Sequence, residues 1–169
     1  MTQPRSAPSG IEQLMRRHLD ADDPGVAPLP VQPALRVAVV TCMDCRLDLF
    51  ALFGLRPGEA HVIRNAGGVI TDDVIRSLSI SQRRLGTREV LVLHHSGCGM
   101  TTFTDDEFRT ELARETGLRP PWAVEAFVDV KENVRQSVER VRRSPYLTHT
   151  ELVRGFVVDV QSHVLDEIT

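Results

Sequence analysis

Cysteine, lysine and long apolar runs are all scarce in this chain of 169 residues. The cysteines are Cys42, Cys45 and Cys98, too few and odd in number for a disulfide framework. In a reducing compartment such residues are buried, bind metal or catalyse. No apolar run reaches the roughly 18 residues that a membrane-spanning helix needs. The opening stretch MTQPRSAPSG lacks the apolar core of a signal peptide. These absences predict a cytoplasmic protein with no membrane partner. A basic excess is missing too: the net charge is -3 and the pI about 6.1, which argues against nucleic acid as a partner. Lys131 is the only lysine, and arginine supplies the other basic side chains. What remains is ordinary globular composition, 41% hydrophobic and 25% charged, in a length that suits one domain.

The segment 1–34 reads as an N-terminal arm. Residues 1–9 are rich in Pro and Ser and are expected to be mobile. Ile11, Leu14, Met15 and Leu19 recur at helical spacing, and Pro24, Pro28, Pro30 and Pro33 make 23–34 an extended linker. The apolar stripe of that helix needs a surface, either on its own domain or on a second subunit. From residue 35 to 169 the pattern is that of a single α/β domain. LRVAVVT and EVLVLHH are short apolar runs of the kind found in buried parallel strands, AHVIRNAGG reads as a strand ending in a glycine turn, GFVVDV is the last clear strand, and VLDEI can pair with it as a hairpin. Between them lie LDLFALF closed by Gly54, a helix capped by Thr71, a helix opened by the Thr104/Glu107 capping box and ended by Gly117, and a long helix over about 123–143. Strands alternating with helices predict a mostly parallel central sheet flanked by helices, with an N-terminal helical arm and a C-terminal edge strand or hairpin.

Two loops carry chemistry. The first strand ends in Cys42-Met43-Asp44-Cys45-Arg46, the third in His94-His95-Ser96-Gly97-Cys98-Gly99. Ligands in open α/β sheets bind beyond the carboxyl ends of strands, where the strand order reverses. If these strands are neighbours, thiolates and an imidazole converge, a donor set suited to zinc. Three readings compete at this point. Cys42 and Cys45 form a C-x-x-C redox pair, or they join His95 and Cys98 in a closed structural zinc site, or three residues bind metal and leave a fourth position open for catalysis. Either His94 or His95 could supply the imidazole, because adjacent strand residues point to opposite faces.

TCMDCRLD, HVIRNAGG, DDVIRSLSISQRRLGTREVLVLHHSGCGM and TFTDDEF resemble the β-class carbonic anhydrases, the compact prokaryotic type in particular. The likeness runs from about Arg36 to Phe108 and weakens toward the C-terminus. It rests on C-x-D-x-R, R-N-A-G and H-x-x-C at the family's separation. The resemblance implies Cys42, His95 and Cys98 as zinc ligands, Asp44 and Arg46 as a paired carboxylate and guanidinium, and Gly99 as a main-chain contact to substrate. It leaves His94 to packing. Cys45 stands where the family commonly has Ser or Ala. The implied activity is reversible hydration of carbon dioxide to bicarbonate and a proton by hydroxide that zinc supplies. Zinc lowers the pKa of water from about 15.7 to about 7 in a three-histidine site. Two thiolates would cancel the metal's charge here, so a smaller depression and an alkaline optimum are expected. Asp44 would aim the attacking oxygen, and Arg46 would keep Asp44 off the metal. The family also implies a homodimer or a dimer of dimers, with the N-terminal helix on the neighbouring subunit. Two alternatives stand beside this: a zinc hydrolase of carbonyl sulfide or carbon disulfide on the same scaffold, and a non-enzymatic zinc-stabilised domain in which Cys45 closes the metal shell.

Overall fold

The computed structural model describes residues 9–20 and 28–169. All of the expected mobile tail but Ser9, and the first part of the linker, lie outside the described residues. Helix α1 spans Gly10–Asp20, and none of its residues is buried. The described end of the linker docks on the domain: Ala34 and Leu35 donate to the carbonyls of Gly58 and Glu59. No helix among the described residues is long and apolar enough to cross a membrane.

Strands β1 (Val37–Cys42), β2 (Ala60–Asn65), β3 (Glu89–His95), β4 (Val153–Val158) and β5 (Leu165–Ile168) form one sheet in the order β2-β1-β3-β4-β5. The first four run parallel, and β5 returns antiparallel to β4 as the hairpin. The chain steps from β1 out to β2 and comes back to the other side of β1 as β3. Strand order therefore reverses between β1 and β3, and their carboxyl ends flank a crevice. Alternation of side chains divides the core in two. Ala38, Val40, Val90 and Val92 face helices α3 (Asp72–Leu85) and α5 (Val130–Arg142), while Val39 and Leu93 face the layer that holds Cys42 and Cys98.

The helix ends follow local chemistry. Asp48 accepts from the amides of Phe50 and Ala51 to open α2 (Leu49–Phe53), and Gly54 closes it in the left-handed conformation. Thr71 caps α3 through the amide of Val74, and the reciprocal Thr104/Glu107 bonds open α4 (Asp105–Thr116). The long helix expected from about 123 begins only at Val130. The amides of Glu125 and Ala126 are captured by the Asp105 carboxylate, that of Phe127 donates to the Met100 carbonyl, and Glu125 has φ 62. Amides engaged there cannot enter a helical ladder, so Asp129 caps α5 instead, accepting from Lys131 and Glu132. Strand β4 likewise starts at Val153 and stops at Val158, because Asp159 turns the chain toward β5.

Helix α5 lies close on β4 at Gly155, where an added Cβ would run into Val134 and Val138. Both are β-branched and stiff, so Gly155→Ala should cost about 1–3 kcal/mol of stability. Urea denaturation of the two proteins measures it.

Candidate metal centre

Cys42 ends β1, His95 ends β3, and Cys98 follows after a two-residue turn. Their ligating atoms lie within 4.8 Å of one another, all buried, and the two sulfurs are 4.0 Å apart. The main chain prepares this spot for negative sulfur. Amides of Asp44 and Gly67 point at Cys42, and that of Met100 at Cys98. The two sulfurs share a proton: their contact holds Cys42 below the usual thiol range and drives Cys98 above it.

His95 Nδ1 lies 3.0 Å from the Ser96 carbonyl, which only accepts, so Nδ1 carries the proton. Nε2 then presents a lone pair, and this fully buried atom has no hydrogen-bond partner. Burial alone would push the His95 imidazolium down, but the Cys42 sulfur, the Ser96 carbonyl and Asp44 outweigh it and hold the pKa above its ordinary value. An orphaned imidazole nitrogen facing two paired sulfurs, one of which favours the thiolate form, is a donor set for a soft or borderline divalent cation. The residues fit a metal. His94 has other work: its Nε2 donates to the Gly68 carbonyl, its ring stacks on Phe127, and burial lowers its pKa to about 4. Cys45 is exposed and stays outside the cluster.

Asp44 and Arg46 sit at the edge of the cluster. Arg46 donates through Nε to Oδ1 at 2.9 Å and through NH2 to Oδ2 at 2.6 Å, and its own amide also reaches Oδ1. NH2 donates as well to the Gly97 carbonyl, which ties the first loop to the second. These bonds hold the Asp44 carboxyl well below the usual carboxylate range, so it stays ionised. Its Oδ2 lies 3.7 Å from His95 Nε2.

The R-N-A-G-G turn after β2 supports all of this. The Arg64 guanidinium donates to the Leu47 carbonyl, and the Asn65 amide to that of Val69. Gly68, at φ 71, packs so close to β1 that a Cβ would stand 2.8 Å from the Cys42 nitrogen. Beside the cluster a cavity of about 510 Å³ opens between Ala66, Gly67, Gly99, Met100 and an aromatic wall of Phe103, Phe108 and Trp122. Gly99 borders it, and a Cβ there would meet nothing within 4 Å. Sequence reasoning missed this wall, although Phe103 and Phe108 flank the capping box that it did find. A larger cleft of about 790 Å³ lies between α5 and the β4–β5 hairpin, but its Arg135 and Arg154 are paired with Glu132 and Glu167. Among the described residues it holds no grouping of metal-ligating side chains.

Known proteins agree with this geometry. A family model described as carbonic anhydrase matches residues 37–126. Beta-carbonic anhydrase 1 of Mycobacterium tuberculosis is 55% identical over 142 residues, 84% of this chain and 87% of that one. A carbon disulfide hydrolase of Acidianus sp. is 33% identical, covering 77% of this chain and 76% of its own. The crystal structure of a carbonic anhydrase from Streptococcus mutans superposes with a TM-score of 0.89 at 39% identity, over 96% of this chain and 99% of that one. The chain belongs to the carbonic anhydrase family, in its β-class.

Proposed function

We propose that this enzyme hydrates carbon dioxide reversibly to bicarbonate and a proton, with zinc held by Cys42, His95 and Cys98. The observation that carries the reading is the buried cluster itself, whose orphaned His95 Nε2 faces two paired sulfurs with Asp44 at its edge. When bound, zinc lowers the pKa of water enough to supply a nucleophile near neutral pH. The protein does the rest. The Asp44 carboxylate accepts the proton of the attacking oxygen in a hydrogen bond and turns a lone pair toward the carbon. The bonds from Arg46 favour its ionised form, which only accepts. Arg46 grips both carboxylate oxygens and keeps Asp44 from turning onto the metal itself. The apolar wall suits an uncharged linear substrate, and Gly99 leaves main chain bare toward it. A charged bicarbonate gains nothing from that wall and is released.

The same cavity would admit carbon disulfide, but the 55% identity to a carbonic anhydrase over most of the chain favours carbon dioxide. A closed structural zinc site is disfavoured by the outward position of Cys45. We read 35–169 as the single catalytic domain and 1–34 as an arm. The exposed stripe of Ile11, Leu14, Met15 and Leu19 supports a homodimer or a dimer of dimers, in which α1 packs on the neighbour. Free thiols at the site favour the cytoplasm.

Stopped-flow hydration of carbon dioxide, with zinc content measured on the same sample and carbon disulfide as a second substrate, tests the activity. Cys42→Ser, His95→Ala and Cys98→Ser should each lose metal and activity together. Cys45→Ser should keep both, and His94→Ala should keep metal while losing about 2–3 kcal/mol of stability. A zinc-free His94→Ala would overturn the ligand set. Arg46→Ala should retain zinc and lose about a hundredfold in rate, because the freed carboxylate no longer orients the attack. Wild-type turnover in that variant would end the gating role. Deletion of residues 1–22 should lower the sedimentation coefficient toward that of a monomer; an unchanged assembly would make α1 dispensable.

A further inference from the structure

The turn between His95 and Cys98 does more than join two ligands. The Ser96 carbonyl receives the His95 Nδ1 proton, the Gly97 carbonyl receives Arg46, and Cys98 is itself in the cluster. Gly97, at φ 62, gives this turn freedom that other residues would deny it. Something must hold it, and the hold comes from the end of β4, the strand paired with β3. The Ser96 amide donates to the Val158 carbonyl, and its hydroxyl accepts from the Val160 amide at 3.1 Å and donates to Asp159 Oδ2 at 3.0 Å. Asp159 is in turn fixed by the β4–β5 hairpin. Its Oδ1 accepts from the amides of Gln161 and Ser162, and its carbonyl accepts from His163.

We infer that Ser96 and Asp159 are a pair of positioning residues: through the bond between their side chains, the β4–β5 hairpin fixes the turn that sets the His95 tautomer, the Arg46 contact and the placement of Cys98. Neither residue lines the cavity or belongs to the ligand cluster. The Asp159 carboxylate has two separate tasks, one per oxygen. Oδ1 builds the hairpin turn and Oδ2 restrains Ser96. This separation makes the pair testable apart from folding. Asp159→Asn can keep an oxygen for the turn amides while offering Ser96 an NH2 group in place of an acceptor. Ser96→Ala removes only the hydroxyl.

The inference rests on the zinc carbonic anhydrase reading, and its test is made on the full-length zinc protein. Zinc release to excess chelator, kcat for carbon dioxide hydration and the unfolding midpoint of the metal-free protein are measured for Ser96→Ala, Ser96→Thr, Asp159→Asn and the Ser96→Ala/Asp159→Asn double variant. Ser96→Ala and Asp159→Asn should each release zinc roughly tenfold faster, within the tenfold to hundredfold typical of residues that orient metal ligands, and lose kcat to a similar degree. The double variant should be no worse than either single one, and Ser96→Thr should restore wild-type release. Wild-type release in Ser96→Ala, additive effects in the double variant, or release that only tracks a lowered apo midpoint would each overturn the pair. A wild-type protein that binds zinc but hydrates no carbon dioxide would sink the activity and leave the release comparison standing.

Discussion

Two sulfur atoms held 4.0 Å apart inside an apolar layer are an arrangement that protein alone satisfies poorly. Charge on one sulfur opposes charge on the other at that distance, and a thiolate loses hydration when buried. The neighbouring architecture is organised around this difficulty. The strand order puts β1 beside β3, which brings the sulfurs and the imidazole to one crevice. Three main-chain amides are turned inward toward sulfur, and the glycine pair after β2 exists so that this main chain can approach. A divalent cation held there would remove what conflict is left.

Charge and shape are separated on the two sides of the cluster. One side holds Asp44, Arg46 and the Gly97 carbonyl, a polar arm with fixed hydrogen bonds. The other is almost wholly apolar, from Met100 to Trp122, and Arg109 braces it by donating to the Pro120 and Trp122 carbonyls. Relatives described as acting on carbon disulfide share the scaffold, which is consistent with a cavity wall that recognises little beyond the absence of charge.

Most of the fold was legible because its signals are local. The apolar runs, the Thr71 cap and the capping box at Thr104 announce their elements within a few residues. The start of α5 was not, since the carboxylate that captures its expected first turn belongs to Asp105, some twenty residues earlier. The ligand set was open among three readings from spacing alone. Strand alternation could say that only one of His94 and His95 faces the cysteines, but not which. That answer comes from Leu93, which shares the second layer with Cys42 and lies two residues before His95. The aromatic wall and the Ser96–Asp159 contact join segments far apart in the chain, and neither leaves a periodic trace.

The close approach of Gly68 to β1 reaches beyond the site. Its φ of 71 and the 2.8 Å that would separate a Cβ from the Cys42 nitrogen leave the turn and the strand no slack to part. Thr41, fully buried beside it, is bonded in turn to the Leu93 carbonyl of β3. The crevice therefore has no hinge of its own at this seam. Amide hydrogens here would exchange with solvent only when the central strands separate, on the slow timescale of global opening, whereas those of the exposed α1 can exchange by local fraying.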